Sequence, residues 1–270
     1  MPVQAGLITI SIFALGSVSY FKETYFLLDL LLGIVSLFLV ICAGYVMNDV
    51  LDIKYDLVNR PERVYVDKLI SKKSALLLAL GLFIIGLIIS VFVNIYYFLV
   101  ILMDVVVLVV YNFYNKKMLL LKPLLASALM VSVYPLSFAL TEGGIASPRR
   151  DSLFLYPIWL FLTCVPYAIL QDVRDVKGDI EGGSKSYVDI MGRKKVRTIA
   201  VVSAILGIPF CTLPYILGMC GSVYLSGIIL AVTSLLAGII IGSDKAFMRG
   251  VKINIIIIML FSLLDLMAVK

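Results

Sequence analysis

Long apolar runs separated by short charged connections dominate this chain. Nine of them, at roughly 3–20, 26–47, 75–92, 96–113, 122–141, 153–172, 198–217, 222–242 and 251–268, approach or reach the about 20 residues that a helix needs to cross a bilayer. The pattern predicts an all-α, polytopic membrane protein, with nine transmembrane helices in a single domain over residues 1–270. The first run follows no Lys/Arg cluster and ends in no A-x-A-like site, so it reads as a spanning helix and not as a cleavable signal.

Composition agrees. The chain is 62% apolar and only 15% charged, against about 25% charged in soluble domains. Cys42, Cys164, Cys211 and Cys220 lie in or beside the apolar runs with no C-x-x-C pair, and read as small packing residues, not as zinc or redox groups. There is no histidine, which removes the commonest general base and metal ligand from any mechanism.

The charges also set a topology. If consecutive helices alternate in direction, the N-terminus and the connections at 48–74, 114–121, 173–197 and 243–250 share one face. That face carries 19 of the 23 Lys and Arg, leaving Lys22, Arg149, Arg150 and Lys270 for the other. The positive-inside rule makes the first face cytoplasmic and the protein one of the cell membrane. Topology and lipid headgroups then account for the net charge of +6, with no nucleic acid partner.

Two connections carry chemistry. The first holds Asp49, Asp52 and Asp56, and the second Asp172, Asp175 and Asp179, both spaced D-x-x-D-x-x-x-D. On a helix these offsets fall within an arc of roughly 60 degrees, so each set predicts an acidic stripe where a spanning helix meets water. Like charges so close repel, and a hard divalent cation is the natural counterweight. Magnesium takes oxygen ligands and is usually held by one or two carboxylates together with substrate phosphates, so two facing stripes predict Mg2+ ions around a diphosphate. Arg60 and Arg63 follow the first stripe and suit bidentate phosphate contacts. Lys68, Lys116 and Lys185 lie at the same membrane face as further phosphate contacts.

These residues resemble a known family. Asn48, Asp49, Asp52 and Asp56, followed by Asn59, Arg60, Pro61 and Arg63, together with Asp172, Asp175, Gly178 and Asp179, "ISKKSA" and "YNFYNK", resemble the UbiA superfamily of intramembrane prenyltransferases, most of all its archaeal ether-lipid branch. The resemblance implies nine helices around a central cavity capped by two aspartate-rich cytoplasmic loops. It implies a polyprenyl diphosphate whose allylic C1–O bond ionises with Mg2+ help, and a lipid acceptor, best matched by geranylgeranylglyceryl phosphate. The six aspartates are then the metal ligands, Asn48 orients the site, Arg63 and Lys116 contact the diphosphate, and Tyr111 places its ring beside developing cationic character.

The acceptor stays open at this level. The chain has Tyr167 and Ala168 where the ether-lipid enzymes commonly carry Arg-Glu, and Met1 to Gln4 in place of an R-P-x-N opening. An aromatic, quinone-type acceptor and a UbiA-type terpene cyclase are the alternatives, and a secondary transporter is a remote one, since transporters place their sites near the bilayer midplane. Asp104 falls near the middle of the fourth run, where a carboxylate is expensive, and is expected to line the tail tunnel or to pair with Ser132 or Tyr134. Asp265 is expected at the interface of the last run. Oligomeric state is not legible.

Overall fold

Helix breaks in this chain follow from local chemistry. Ser71 starts one helix by accepting from the Ser74 amide at 3.1 Å. Asn94 ends that helix and starts the next, accepting from the Tyr97 amide at 2.8 Å, as Ser and Asn do at N-caps. Pro135 has no N–H for the Val131 carbonyl, and the helix through this region is interrupted at Ser132.

The computed structural model describes residues 24–61, 69–140 and 154–268. Within them the helices are α1 Thr24–Leu51, α2 Ile53–Asn59, α3 Lys72–Val93, α4 Ile95–Tyr114, α5 Leu121–Val131, α6 Val133–Leu140, α7 Tyr156–Glu181, α8 Tyr187–Met191, α9 Arg193–Ile216, α10 Ser222–Ile240 and α11 Asp244–Ala268. Among the described residues, seven candidate spans are long and apolar enough to cross a membrane: α1 from Leu28, α3, α4, α5 with α6, α9, α10 and α11. The first expected span, 3–20, lies outside the described residues, and the other eight expected runs fall on these helices. The sixth is the N-terminal part of α7, which is apolar only as far as Leu170.

The outer surface is apolar, as a bilayer requires. Along α3, Leu77, Leu80, Ile84, Ile88 and Phe92 are all exposed, a stripe at helical spacing that water would not tolerate and lipid covers. The interior holds Trp159, Tyr97, Tyr224 and Phe247, all essentially buried. Polar groups join the helices there: Ser36 Oγ donates to the Gly86 carbonyl at 2.8 Å, Tyr97 Oη to Gly33 at 2.8 Å, and Asn112 Nδ2 to Gly44 at 3.2 Å. Each such bond contributes about 0.6 kcal/mol within a membrane. Together they fasten α1 to α3 and α4.

Helix α7 runs through the middle, against α2, α5, α9 and α11. Its Pro166 cannot bond the Leu162 carbonyl, and Ser203 of α9 donates to that carbonyl at 2.8 Å. The sequence therefore breaks the ladder in α7 and supplies the replacement donor from a neighbour. Asp265 is 1% exposed and is not the interfacial group its position near a helix end predicts. Its carboxylate accepts from the backbone amides of Gly221 at 2.8 Å and Tyr224 at 3.1 Å, so α11 caps the N-terminus of α10. Asp104 is buried on α4 and hydrogen-bonds Ser132, one of its two expected partners, at the break between α5 and α6.

Candidate active site

Three of the four connections assigned to one face by charge meet at one end of the bundle, and the fourth is tied to them. The end of α1 with α2, the turn from α4 to α5, and the end of α7 with α8 touch directly. Arg193 then reaches Asp244 at 2.5 Å, fixing the start of α11 to the start of α9.

The two acidic segments differ in form. Helix α1 ends at Leu51 and Asp52 sits in a break with φ −96° and ψ 7°, so the first triplet does not share one straight helical face. The interruption is slight: the Asp52 amide still bonds the Asn48 carbonyl, and the Asp56 amide the Asp52 carbonyl. The second triplet is wholly helical, because α7 continues from its apolar part to Glu181. The expected loop up to that point is therefore helix, which carries Asp172, Asp175 and Asp179 as a stripe.

Each segment meets the other through bases. Lys116 Nζ lies 2.7 Å from Asp179 Oδ1 and 3.5 Å from Asp52 Oδ2, one ammonium shared by the two segments. Lys122 pairs with Asp172, which also accepts from Tyr187 Oη at 3.0 Å. Arg60 crosses to Asp175, which Arg174 also grips with two bonds of 2.8 and 2.9 Å. The Arg60 Nε is buried with no hydrogen-bond partner. Asn48 Nδ2 donates to Asp52 Oδ2 at 3.1 Å.

Proton affinities follow from these surroundings. Burial pushes the Asp52 carboxyl above the ordinary carboxylate range, against Lys116, Lys122 and the Asn48 hydrogen bond, which hold it down. Burial likewise raises Asp56 against the pull of Arg60. At Asp175 burial works upward too, but the Arg174 hydrogen bonds and the Arg60 charge outweigh it and the carboxyl stays below its usual range. Burial and the Asp172 charge raise Tyr187, so its hydroxyl remains a donor.

Of the residues singled out by sequence, Asn48, Asp52, Asp56, Arg60, Lys116, Asp172, Asp175 and Asp179 are brought together here. Tyr111 lies within electrostatic reach of Lys122, Asp172 and Asp52. Lys185 lines a small polar cavity with Lys116, Lys122, Asp172, Asp179 and Tyr187. Asp49, on the last turn of α1, is exposed. Arg63 and Lys68 lie outside the described residues.

Among the described residues no three carboxylates gather as a ready metal cage. The donors come instead as pairs across the two segments, Asp52 with Asp179 through a shared ammonium, and Asp56 with Asp175 in mutual repulsion. Hard oxygen donors in twos fit a cation of the magnesium type that completes its shell with water and phosphate oxygens, and do not fit an all-protein site.

The chain belongs to the UbiA prenyltransferase family, whose model matches residues 7–250. Three relatives, each called digeranylgeranylglyceryl phosphate synthase, show how near the likeness is. The one from Thermococcus kodakarensis is 29% identical over 66% of this chain and 62% of its own length. That from Methanococcus vannielii is 32% identical over 78% and 73%, and that from Sulfolobus acidocaldarius 34% over 75% and 71%. A solved structure described in connection with digeranylgeranylglyceryl phosphate synthase in membranes superposes with a TM-score of 0.72 at 24% identity, covering all of this chain and 94% of the other. At that identity it establishes the fold.

Sequence reasoning missed several residues of this site. Lys122 counts toward topology in the sequence and pairs with Asp172 in the fold. Tyr187 has no role assigned from the sequence and donates to the same carboxylate. Asn59 is in the quoted motif with no task assigned, yet its amide spans to α7, donating to the Asp175 carbonyl and accepting from the Gly178 amide, both at 2.9 Å. The neighbouring glycines explain the fit: a Cβ on Gly178 would overlap Asn59, and one on Gly182 would overlap the Tyr55 ring.

Proposed function

We propose that this protein is a magnesium-dependent intramembrane prenyltransferase that moves a geranylgeranyl group from its diphosphate to geranylgeranylglyceryl phosphate in archaeal ether-lipid synthesis. The observation that carries the reading is the meeting of Asp52 and Asp179, from opposite segments, over one shared cation position beside a pocket with three lysines. The names of the relatives support the choice of acceptor, and their activity is the model for this chain. In this reading the site-bearing end faces the cytoplasm, the bilayer surrounds the apolar exterior, and the prenyl tail runs between the helices.

Asp52, Asp56, Asp172, Asp175 and Asp179, with Asp49, would hold the divalent cations, which supply charge neutralisation to the departing diphosphate. Lys116, Lys122 and Lys185 bind phosphate oxygens as point charges. Arg60, whose Nε has no hydrogen-bond partner, would be a bidentate phosphate contact, with Arg63 and Lys68 as further contacts. Asn48 keeps the Asp52 carboxylate in one orientation. Tyr187 does the same for Asp172. These fixed charges act on charge that develops as the C1–O bond breaks, the arrangement that lowers barriers most. Tyr111 presents an aromatic ring to the carbocation. An electrophile this reactive needs no strong base, in keeping with the lack of histidine.

The test is an assay of purified protein with geranylgeranyl diphosphate and Mg2+, with and without geranylgeranylglyceryl phosphate, following diphosphate release and lipid product by mass. Lipid product only with acceptor and metal is expected. Diphosphate release with a cyclic hydrocarbon and no acceptor overturns the reading in favour of a cyclase, and product only with an aromatic acceptor overturns the lipid assignment.

A further inference from the structure

Lys116 stands where the two acidic segments meet, and an aromatic ring holds it there. Its ammonium is 2.7 Å from Asp179, 3.5 Å from Asp52 and 4.3 Å from the centroid of the Tyr55 ring. Tyr55 is 8% exposed, and its ring lies against the backbone of Gly182, where a Cβ would overlap it. Lys54 secures that backbone by donating to the Gly182 carbonyl at 2.8 Å and lies over the same ring at 4.6 Å. Tyr55 is thus a wedge between the two segments and a platform for Lys116, whose side chain is only 20% exposed.

The charge balance is incomplete. Lys116 and Lys122 face Asp52, Asp172 and Asp179 here, two ammoniums against three carboxylates, in surroundings where burial already works against the ionised form of Asp52. A divalent cation would balance the pair, but Lys116 already lies on one oxygen of each carboxylate, Asp179 Oδ1 and Asp52 Oδ2, and would compete with it. Resting on the prenyltransferase reading above, we propose that Lys116 is an exchangeable counter-ion: it bridges Asp52 and Asp179 while no diphosphate is bound, and it moves to the diphosphate oxygens when these carboxylates take a divalent cation. Tyr55 is the positioning residue that keeps the ammonium between the two destinations.

The device couples two ligands. Metal alone must displace Lys116 with nothing to receive it, so the empty site binds metal weakly. A diphosphate offers Lys116 another partner and releases the carboxylates. Each ligand then strengthens the other by the same factor, as linkage requires, and bare metal does not lock the site before substrate arrives.

Mn2+ binding to purified full-length protein in detergent, measured by titration calorimetry and electron paramagnetic resonance without any diphosphate, tests this. Lys116→Met, and Lys116→Gln as a second variant with its fold checked by circular dichroism, are expected to bind Mn2+ about tenfold more tightly than the unmodified protein, since a competing charge within a few ångströms is gone. In the transferase assay both raise KM for geranylgeranyl diphosphate. Tyr55→Leu is expected to tighten Mn2+ binding by about two- to threefold, the scale of a lost cation–π contact, while Tyr55→Phe, which keeps the ring, behaves as the unmodified protein. Asp52→Asn should weaken Mn2+ binding throughout.

If Mn2+ binding depends on Asp52 but both Lys116 variants bind it no more tightly, the counter-ion role is wrong and the prenyltransferase reading stands. If Asp52→Asn leaves Mn2+ binding unchanged, the metal site itself is wrong, and the counter-ion role falls with it.

Discussion

Asn59 clamps Gly178. The asparagine ends the short helix α2, and its side-chain amide accepts from the Gly178 N–H at 2.9 Å while donating to the Asp175 carbonyl at the same distance. These two bonds hold the first acidic segment in register against the second.

Breaking that clamp is expected to hurt catalysis more than folding. Asn59→Ala removes both bonds at a cost of about 1–3 kcal/mol, and Gly178→Ala drives a methyl group into the amide. A displacement of about 1 Å between catalytic groups costs on the order of a hundredfold in rate. Both variants should therefore lose prenyl transfer by about that factor while melting only modestly earlier by circular dichroism in detergent. Full activity in both would show that the register is set elsewhere.

The carboxylates themselves give a cleaner contrast. Asp52→Asn and Asp175→Asn keep shape but remove charge and turn one acceptor oxygen into an amide donor. Each should reduce turnover to near background with the thermal midpoint little changed, and chelation of divalent metal should do the same reversibly to the unmodified protein. Wild-type turnover in either variant would refute the two-segment site.

Lys122 and Asp172 form a pair with side chains 17% and 8% exposed. Removing one member of a buried pair costs about 3–5 kcal/mol because the other charge is stranded. Lys122→Met should lower the thermal midpoint clearly, whereas Tyr187→Phe, which deletes one neutral donor to the same carboxylate, should cost about 1 kcal/mol. Thermal denaturation of the two variants side by side measures the difference, and equal stability for both would show that the pair is not load-sharing in this way.

Asp265 tests stability without chemistry. It lies in α11 and satisfies two backbone amides at the start of α10, away from the aspartate segments. Asp265→Leu leaves the Gly221 and Tyr224 amides unpaired inside the protein, at about 1–3 kcal/mol each. The expected result is a lower thermal midpoint with kcat and KM per folded molecule unchanged. A selective loss of kcat would instead tie this cap to the site.

Much of this protein is legible in its sequence, for a reason specific to membranes. A span must satisfy its own backbone bonds and be apolar over its length, so the runs announce their helices directly. Spacing also does much for the site: D-x-x-D-x-x-x-D places acids together on any helix, and alternation of spans brings Asp52 and Asp179 to one end. What periodicity does not report is neighbours. A span facing lipid on one side and other helices on the other is apolar on both, so the pattern cannot say that Lys122 lies beside Asp172, that Tyr55 lies under Lys116, or that Asn59 reaches α7. The acidic stripe expected where a spanning helix meets water is present on α7, which stays helical to Glu181, whereas the break of α1 at Asp52 was not legible, because charged residues leaving the bilayer fit helix and loop alike. Asp265 is the sharpest case: the sequence places an acid near a helix end, where water is the natural partner, and only the packing of α11 on α10 supplies two amides in its stead. The sequence determined the helices and the chemical groups available at one end of them; the tertiary structure decided which opposite charges meet, because those pairings depend on contacts between residues far apart in the chain, which local pattern does not encode.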